Sequence, residues 1–298
     1  MTDPKPVLVV GGTGHLGGQV IDELMSRGKK VRALVRPGSD ASKLEAKNVG
    51  IARGDMLALD SLVAAMTGVD AVITTAAGYT RRDKQAREID TVGNAHLAQA
   101  AGRTGVRRFI LTSILTCDET PNIPHFWHKK LAEDKLEELG VPFVALRPGA
   151  FLDQIARRGG DPFAKKRLMW FGTKTVPLTF VLTADLAGYL AAAVDADVAD
   201  GERIDIGWNR PVSMQDVADI ASRIVAAQIR VRAVPASLVR ALGLTLGRLD
   251  PMVKDMGAMF GWFGTGRYVA DTSRQAEVFG PVPAAEEAIA RFARSLGH

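Results

Sequence analysis

The chain has 298 residues, of which 47% are hydrophobic and 24% are charged, and it carries a net charge of +5. This balance is typical of a folded globular protein and excludes disordered and collagen-like chains. The single cysteine, Cys117, excludes an intrachain disulfide and any metal site made of several cysteines. We expect no metal centre.

The apolar runs of the chain are all short. None approaches the roughly 20 residues needed to span a bilayer, and no basic segment precedes the first run at 7–10. We therefore expect a cytoplasmic protein without a membrane span. Neither basic stretch, 81–87 or 157–167, has the interleaved aromatic residues of a single-strand binding groove. We interpret both stretches as solvated faces and expect no nucleic-acid partner.

Short β-branched runs alternate with longer amphipathic stretches through the first half of the chain. Leu16, Val20 and Leu24 recur at helical spacing, and the helix that they predict ends at Gly28. This alternation is typical of an α/β fold with a doubly wound parallel sheet. The remaining elements are predicted as helices at 83–103 and 126–139 and strands at 7–10, 31–35, 50–53, 71–75, 108–112 and 143–146.

The pattern changes after Pro148. Ser213 and Asp216 are spaced as a capping box at the start of a helix. The segment 235–267 is rich in Met, Phe and Gly, and we interpret it as a core or dimer-contact helix, or alternatively as an apolar lid over a substrate. Predicted elements of this half are helices at 184–194, 213–227 and 286–296 and a strand at 203–206.

A glycine-rich segment directly follows the first strand and directly precedes the first helix. Its glycines at 11, 14 and 17 give the spacing GxxGxxG. Such a turn lets the backbone approach a pyrophosphate without a Cβ in the way, and it places the phosphates at the positive end of the helix dipole. The turn residues predicted to bind a dinucleotide are Gly11, Gly12, Thr13, Gly14, His15, Leu16 and Gly17.

This motif predicts a dinucleotide-binding Rossmann domain over residues 1–152. Residues 153–298 are predicted to form a small C-terminal α/β substrate region, packed on the same domain and returning elements to its core.

The end of the second strand indicates which dinucleotide is bound. An NAD site usually has an acidic residue there, but this chain has Arg36. A guanidinium pairs with a 2′-phosphate by charge-assisted hydrogen bonds, and Ser39 and Lys43 are predicted to add contacts. We therefore expect NADP(H) to be preferred over NAD(H). Further along, Asp55 and Met56 are predicted to border the adenine, and Ala76, Ala77 and Gly78 to line the ribose and nicotinamide.

Several segments together resemble the NmrA-like family of atypical short-chain dehydrogenase/reductases. They are the GGTGHLGG turn, Arg36, Gly54-Asp55, Leu111-Thr112-Ser113 and the run 146–151, and the likeness is strongest over residues 5–152. The resemblance implies a Rossmann fold and either an NADPH-dependent reductase or a non-catalytic dinucleotide sensor. It adds to the predicted cofactor site Thr112 and a floor for the nicotinamide made of Pro148, Gly149, Ala150 and Phe151.

Short-chain dehydrogenases usually carry Tyr-x-x-x-Lys on the helix after the fifth strand, where the tyrosine donates a proton and the lysine holds the ribose. Lys129 matches that lysine, but His125 stands four residues before it. Three alternatives are open: His125 donates the proton, Lys129 acts alone, or the acceptor takes its protons from water. Ser113 is predicted to orient the substrate, with an ordinary strand-end serine as the alternative.

The leading interpretation is an NADPH-dependent oxidoreductase that transfers hydride to a small apolar acceptor of the carbonyl, quinone or imine type. The alternative is a redox sensor that binds the dinucleotide without turnover and acts through a protein partner, which the missing tyrosine favours. A sugar-nucleotide epimerase fits the glycines but would also need the tyrosine. We expect a monomer or a homodimer.

Overall fold

The computed structural model describes residues 4–78, 86–157, 159–235, 238 and 251–298. The chain forms two compact units. The first consists of Met1–Asp118, His125–Arg147 and Ala184–Ile204, and the second of Glu119–Pro124, Pro148–Thr183 and Asp205–His298. The domain boundary expected after residue 152 stays a prediction.

Strands and helices alternate through the described residues. In chain order the strands are β1 (Val7–Val10), β2 (Val31–Val35), β3 (Gly50–Arg53), β4 (Ala71–Thr74), β5 (Arg108–Thr112), β6 (Phe143–Pro148), β7 (Ala150–Phe151), β8 (Arg167–Phe171), β9 (Phe180–Val181), β10 (Glu202–Ile206) and β11 (Arg230–Val234). The helices are α1 (His15–Ser26), α2 (Ser42–Glu45), α3 (Leu59–Met66), α4 (Ala86–Glu88), α5 (Asn94–Thr104), α6 (Pro124–Glu138), α7 (Leu152–Arg157), α8 (Thr183–Ala192), α9 (Met214–Ile224), α10 (Pro251–Phe263), α11 (Ser273–Phe279) and α12 (Ala285–Ser295).

Seven strands form the central sheet, in the order β10-β6-β5-β4-β1-β2-β3. From β6 to β3 each strand is parallel to its neighbours, and Val7 of β1 is level with Val31 of β2 and with Ala71 of β4. Every residue of β1 and β4 is buried, as expected for a parallel sheet with both faces covered. The predicted doubly wound Rossmann-type fold is confirmed.

Apolar side chains of the flanking helices pack in the interior of this unit. Helix α1 buries Val20 and Leu24 of its predicted stripe and ends at Ser26. Gly28 follows the helix with a φ of +73°, in the left-handed region that favours glycine. A second cluster includes Leu62 of α3 and Leu97 of α5, both almost completely buried. The helical periodicity of the sequence therefore corresponds to the buried faces.

The helix predicted over 83–103 differs from the observed structure in one respect. Residues 83–85 lie outside the described residues, and from Ala86 the helix contains a π-helical turn at Ile89–Gly93 before it continues as α5. A π-turn inserts an extra residue into the helical repeat and is often found at functional sites. In this turn Asp90 lies inside the protein, with 6% of its surface exposed.

The second unit contains two pairs of parallel strands, β7 with β9 and β8 with β11, neither of which the sequence pattern predicted. Trp170 of β8 is the centre of an aromatic core. Its ring centroid lies 5.7 Å from that of Phe260 and 6.3 Å from that of Phe263, both on α10. The aromatic end of the Met- and Phe-rich segment is thus core, while its residues 236–237 and 239–250 lie outside the described residues.

Helix α9 begins as predicted. The N–H of Asp216 donates to Ser213 Oγ at 3.1 Å, and the N–H of Ser213 donates to Asp216 Oδ2 at 2.8 Å. This reciprocal pair is a capping box. The helix ends at Ile224, slightly earlier than the expected end at residue 227.

Within the described ranges, no helix is long and apolar enough to cross a membrane. In the same ranges, no cluster of His, Cys, Asp and Glu side chains could hold a metal ion.

Candidate functional site

The glycine-rich turn connects β1 to α1. Gly11 has φ +88°, and a Cβ at this position would lie 2.7 Å from Thr75 Oγ1. A Cβ on Gly17 would overlap the carbonyl oxygen of Gly11, so this close packing of turn and helix requires glycine. Gly14 is the residue before α1, and no side chain caps the helix there. The first N–H groups of α1 therefore lack a side-chain acceptor, which makes this helix end suited to an anion.

The position of the turn in the sheet favours the same ligand. The chain continues from β1 to β2 on one side of the sheet, whereas β4 pairs with the other edge of β1. The N–H of Thr75, just after β4, donates to the carbonyl of Val10 at 2.9 Å. The strand order reverses between β1 and β4, and in open α/β sheets ligands bind outside the carboxyl ends of the strands at such a switch point.

Arg36 follows β2 in an exposed loop. The N–H of Ser39 donates to the Arg36 carbonyl at 3.1 Å, and Gly38 between them has φ +76°, so the segment is a tight turn. Arg53, at the end of β3, donates from Nη1 to the carbonyl of Ser39 at 2.7 Å. Sequence reasoning missed Arg53, although parallel pairing of β2 and β3 places it level with Val35, the residue before Arg36.

The remaining charges of this loop come from Lys43, which is exposed on α2, and from Asp40. A backbone hydrogen bond from Ser42 is the main cause that lowers the pKa of Asp40, and the charges of Lys43 and Arg53 lower it further. The Asp40 carboxylate thus accepts a hydrogen bond within its own loop, and the three cations Arg36, Arg53 and Lys43 outnumber this single negative charge.

The predicted adenine-side residues lie in the loop after β3. Asp55 Oδ1 accepts the N–H of Leu57 at 2.9 Å, and the N–H of Asp55 donates to Ser61 Oγ at 3.0 Å. Met56 is buried, and its carbonyl lies 3.1 Å from His96 Nδ1. Asp55 therefore holds the shape of this loop, and its contact with adenine stays a prediction.

The side chain of Lys129, a residue of α6, reaches the carboxyl end of β4. Its Nζ donates to the carbonyl of Ala76 at 3.2 Å, and the N–H of Gly78 donates to Asp90 Oδ1 at 2.6 Å. Lys129 and Asp90 are each only 6% exposed. The structure thus brings together Lys129 and the segment Ala76–Gly78, which the sequence assigned to one site. The structure also places Asp90 beside this segment. Sequence reasoning missed Asp90 because the residue is buried in a π-turn, which the sequence pattern did not predict.

Burial lowers the pKa of Lys129, because the charged ammonium loses its hydration. The negative charge of Asp90 is the largest opposing influence, and that of Glu133 also raises the pKa of this lysine. A lysine in such a setting changes its protonation state more easily than an exposed one.

His125 is in the first turn of α6 and is buried, with its ring edge against Phe126 at a centroid distance of 4.6 Å. It is four positions before Lys129, so the two side chains belong to neighbouring turns of one helical face.

Ser113 is bound into a buried network of charges. Its hydroxyl donates to Glu133 Oε1 at 2.6 Å, and Glu133 has no exposed surface. Arg147 donates to both carboxylate oxygens of Glu133, at 3.0 Å and 2.7 Å, and Arg203 donates to one of them at 2.9 Å. Burial alone would lower the pKa of Arg147, but its bonds to Glu133 and Asp118 outweigh that effect and raise it. The serine at the end of β5 is therefore engaged in holding α6.

Cys117 and Thr112 are two further buried residues near Ser113. Cys117 is buried, and desolvation followed by the charge of Glu133 raises the pKa of its thiol to about 12, so it is a neutral thiol near pH 7. Thr112 is also buried, and within the described residues its hydroxyl oxygen has no hydrogen-bond partner.

The predicted nicotinamide floor, residues 148–151, belongs to the second unit. The N–H of Gly149 donates to the Ile206 carbonyl and that of Ala150 to the Thr179 carbonyl, both at 2.9 Å. A Cβ on Gly149 would lie 2.5 Å from Thr179 O, so the segment is closely packed in that unit. Its role beneath a nicotinamide stays a prediction.

The first unit meets the steric and polar demands of a dinucleotide. The turn at Gly11 and Gly17 has no room for side chains, the start of α1 is uncapped, and the buried hydroxyl of Thr112 is unpartnered in the described part of the chain. Each feature is at the carboxyl edge of the parallel sheet, so they fit one extended ligand.

A model of the NmrA-like family matches residues 3–281 of the chain. The chain is 25% identical over 234 residues to the photosystem II assembly factor Ycf39 of Synechocystis, an alignment that covers 78% of this chain and 72% of that protein. It spans between 60% and 81% of the length of the first curated relatives that it matches.

Solved structures share the fold. Triphenylmethane reductase of Citrobacter sp., complexed with NADP(H), has a TM-score of 0.79 at 20% identity, covering 96% of this chain and 99% of that one. The NADPH-dependent quinone oxidoreductase of Escherichia coli, complexed with NADPH, has a TM-score of 0.79 at 18% identity, covering 98% and 100%.

The network around Glu133 leads to a stability prediction. Glu133→Ala removes the buried carboxylate that pairs with Arg147 and Arg203, and we expect the free energy of unfolding to fall by about 3–5 kcal/mol in urea denaturation. Glu137→Ala is the control, because Glu137 is 61% exposed in its ion pair with Arg203 and such pairs contribute about 0–1 kcal/mol. Equal losses in the two variants would mean that the buried network does not hold α6.

Proposed function

Because the chain belongs to the NmrA-like family, we propose that it is an NADPH-dependent oxidoreductase that reduces a small apolar acceptor of the carbonyl, quinone or imine type. The observation that carries the proposal is the buried Lys129, held against Ala76 at the same sheet edge as the glycine turn. NADPH supplies the hydride when it is bound. The names of the structural neighbours, a dye reductase and a quinone reductase, support an acceptor of this class.

In this proposal the first unit binds the cofactor along its length. The start of α1 and the turn before it hold the pyrophosphate, and Arg36 with Arg53 holds the 2′-phosphate. Arg53 joins the set because it packs on the Arg36 turn. The other residues proposed to contact the cofactor are Gly11, Gly12, Thr13, Gly14, His15, Leu16, Gly17, Ser39, Lys43, Asp55, Met56, Ala76, Ala77, Gly78 and Thr112.

Lys129 has two parts in the proposal: it holds the nicotinamide ribose, and it releases the proton that the acceptor needs. Burial favours this second part because it lowers the pKa of the ammonium. Asp90 is a positioning residue that holds Gly78 and supplies a negative charge near the lysine. Ser113 positions α6 through Glu133. His125 stays an alternative proton donor.

A second candidate function is a dinucleotide sensor that acts through a protein partner. Two observations favour it: the tyrosine of Tyr-x-x-x-Lys is absent, and a relative at 25% identity is named an assembly factor. Sensor and enzyme would share every cofactor contact, so turnover separates them.

The first test measures NADPH consumption by its near-ultraviolet absorbance, with a panel of quinones, aldehydes, enones and cationic dyes. We expect turnover of at least one acceptor. For quinones, aldehydes and enones, which take up a proton as well as hydride, we expect Lys129→Ala to reduce turnover about 100-fold or more because a general acid is lost. Lys130→Ala is the control, since Lys130 is the next residue and pairs with Asp134. Tight NADPH binding without turnover of any acceptor would favour the sensor, and an active Lys129→Ala would remove the lysine from catalysis.

The second test concerns cofactor preference. Arg36→Ala removes charge-assisted hydrogen bonds to a 2′-phosphate, so we expect NADPH affinity to fall about 10- to 100-fold while NADH affinity is unchanged, in fluorescence titrations. Arg53→Ala should act in the same direction. Arg103→Ala, which removes an exposed arginine of α5, is the control. Equal losses for the two cofactors would place Arg36 away from the 2′-phosphate.

The third test is the pH dependence of turnover. Only the charged ammonium releases a proton, so activity falls as pH rises through the pKa of Lys129, and burial places that fall below the range of an exposed lysine. Asp90→Asn keeps an oxygen for the Gly78 N–H but removes a charge that raises this pKa. We expect the fall to move to lower pH, with Glu88→Gln on α4 as the control. A shift to higher pH, or none, contradicts the role of Lys129.

A further inference from the structure

The second unit brings together basic residues that are far apart in the sequence. Arg167, the end of the basic stretch 157–167, is level with Arg230 in the parallel pair of β8 and β11, and Arg232 is level with Met169. All three arginines are exposed. In a strand, residues two apart share a face, so Arg230 and Arg232 are on one face of this two-stranded ribbon.

Strand β11 is at an edge. Within the described residues it pairs only with β8. The N–H of Arg230 donates to Lys166 and the carbonyl of Val234 accepts from Gly172, so alternate residues of β11 direct their backbone groups toward β8. The N–H and C=O groups of Val231 and Ala233 therefore point to the outer edge, where another strand can add.

A groove of about 690 Å³ runs beside this edge. One wall is α9, through Gln215, Asp219 and Arg223, which are spaced along one helical face. The other wall is the run 229–232. Side chains of consecutive strand residues point to opposite faces, so Arg230 and Arg232 line the groove from one face of β11 and Val231 from the other. A helix beside an open strand edge is a geometry that receives an extended peptide.

The charge of the groove selects the partner. Lys174, Arg223, Arg230 and Arg232 line it against a single acidic residue, Asp219. Arg230 donates to Gln228 Oε1 at 3.0 Å, and in the described part of the chain none of the four cations forms a salt bridge. The same arginines disfavour edge-to-edge pairing with a second copy of the chain, because like charges would meet.

We propose that this groove binds an extended acidic segment of a protein partner, which adds as a strand to β11 and pairs its carboxylates with the arginines. The proposal is independent of the dinucleotide site, since every residue that it uses is in the second unit. It assigns to this unit a partner of defined chemistry: an alternating pattern of Asp or Glu with apolar or β-branched residues.

The test uses the full-length protein and an array of peptides of about ten residues, the upper length of a typical strand. Asp or Glu alternates with Val, Thr, Ile or Leu, and the matched array has Lys in place of the acidic residues. The tightest acidic peptide is then labelled and titrated by fluorescence anisotropy. We expect Arg230→Glu combined with Arg232→Glu to weaken binding at least about tenfold, with Arg294→Glu, an exposed arginine of α12, as the control.

Strand addition is tested separately from charge attraction. Val231→Pro removes an outward N–H and leaves the inward groups of Arg230 and Arg232 intact, so we expect a loss of at least about tenfold. The same peptide with alternate amides N-methylated should lose as much, and this measurement holds even if the proline variant folds poorly. Circular dichroism and urea denaturation report that each variant is folded.

Four results overturn the proposal. The first is an acidic array that binds no more tightly than the lysine array. The second is binding that survives both the charge reversal and N-methylation. The third is self-association, followed by sedimentation, that Val231→Pro abolishes while peptide binding is absent, since a second copy would then be the occupant. Binding to anionic vesicles in place of the peptides would likewise reject a protein partner.

Discussion

The buried carboxylate of Glu133 joins helix α6 to the ends of three strands. Ser113 reaches it from the end of β5, Arg147 from β6 and Arg203 from β10. A carboxylate without exposed surface is stable only when its charge and hydrogen bonds are fully compensated, and here two guanidinium groups and a hydroxyl do so. Lys129 is one helical turn before Glu133, so the network also sets the position of that lysine against the sheet.

Burial in this interior shifts the pKa values of two titratable groups in opposite directions. Burial lowers the pKa of Lys129 and raises that of Cys117, because desolvation always disfavours the charged form. The thiol thereby becomes inert while the lysine becomes easier to deprotonate. Asp90 accepts a hydrogen bond from the N–H of Gly78. The negative charge of the same carboxylate raises the pKa of Lys129, against the effect of burial. Structure and proton chemistry in the proposed site thus depend on one carboxylate.

We propose a different kind of binding surface for each unit. In the first, uncompensated N–H groups and arginines lie at the carboxyl edge of a parallel sheet, which suits a phosphorylated cofactor. In the second, an open strand edge and four cations suit an acidic peptide. A chain with both surfaces is compatible with an enzyme and with a dinucleotide sensor.

The sequence by itself determined the doubly wound fold, the glycine turn, the strand at 108–112 and the capping box at Ser213, because each depends on residues that are close along the chain. Periodicity and turn chemistry act over a few residues. It also located Lys129, through its spacing from the end of its helix.

Only the tertiary structure decided the roles of Arg53, Asp90, Glu133 and the pair of β8 and β11. Arg53 meets the Arg36 turn because β2 and β3 pair in register, and Asp90 turns inward because a π-turn shifts the helical phase. Glu133 and Arg203 are 70 residues apart in the chain. No local pattern encodes these contacts, since they arise when packing brings separate segments together and burial makes their charges interact strongly.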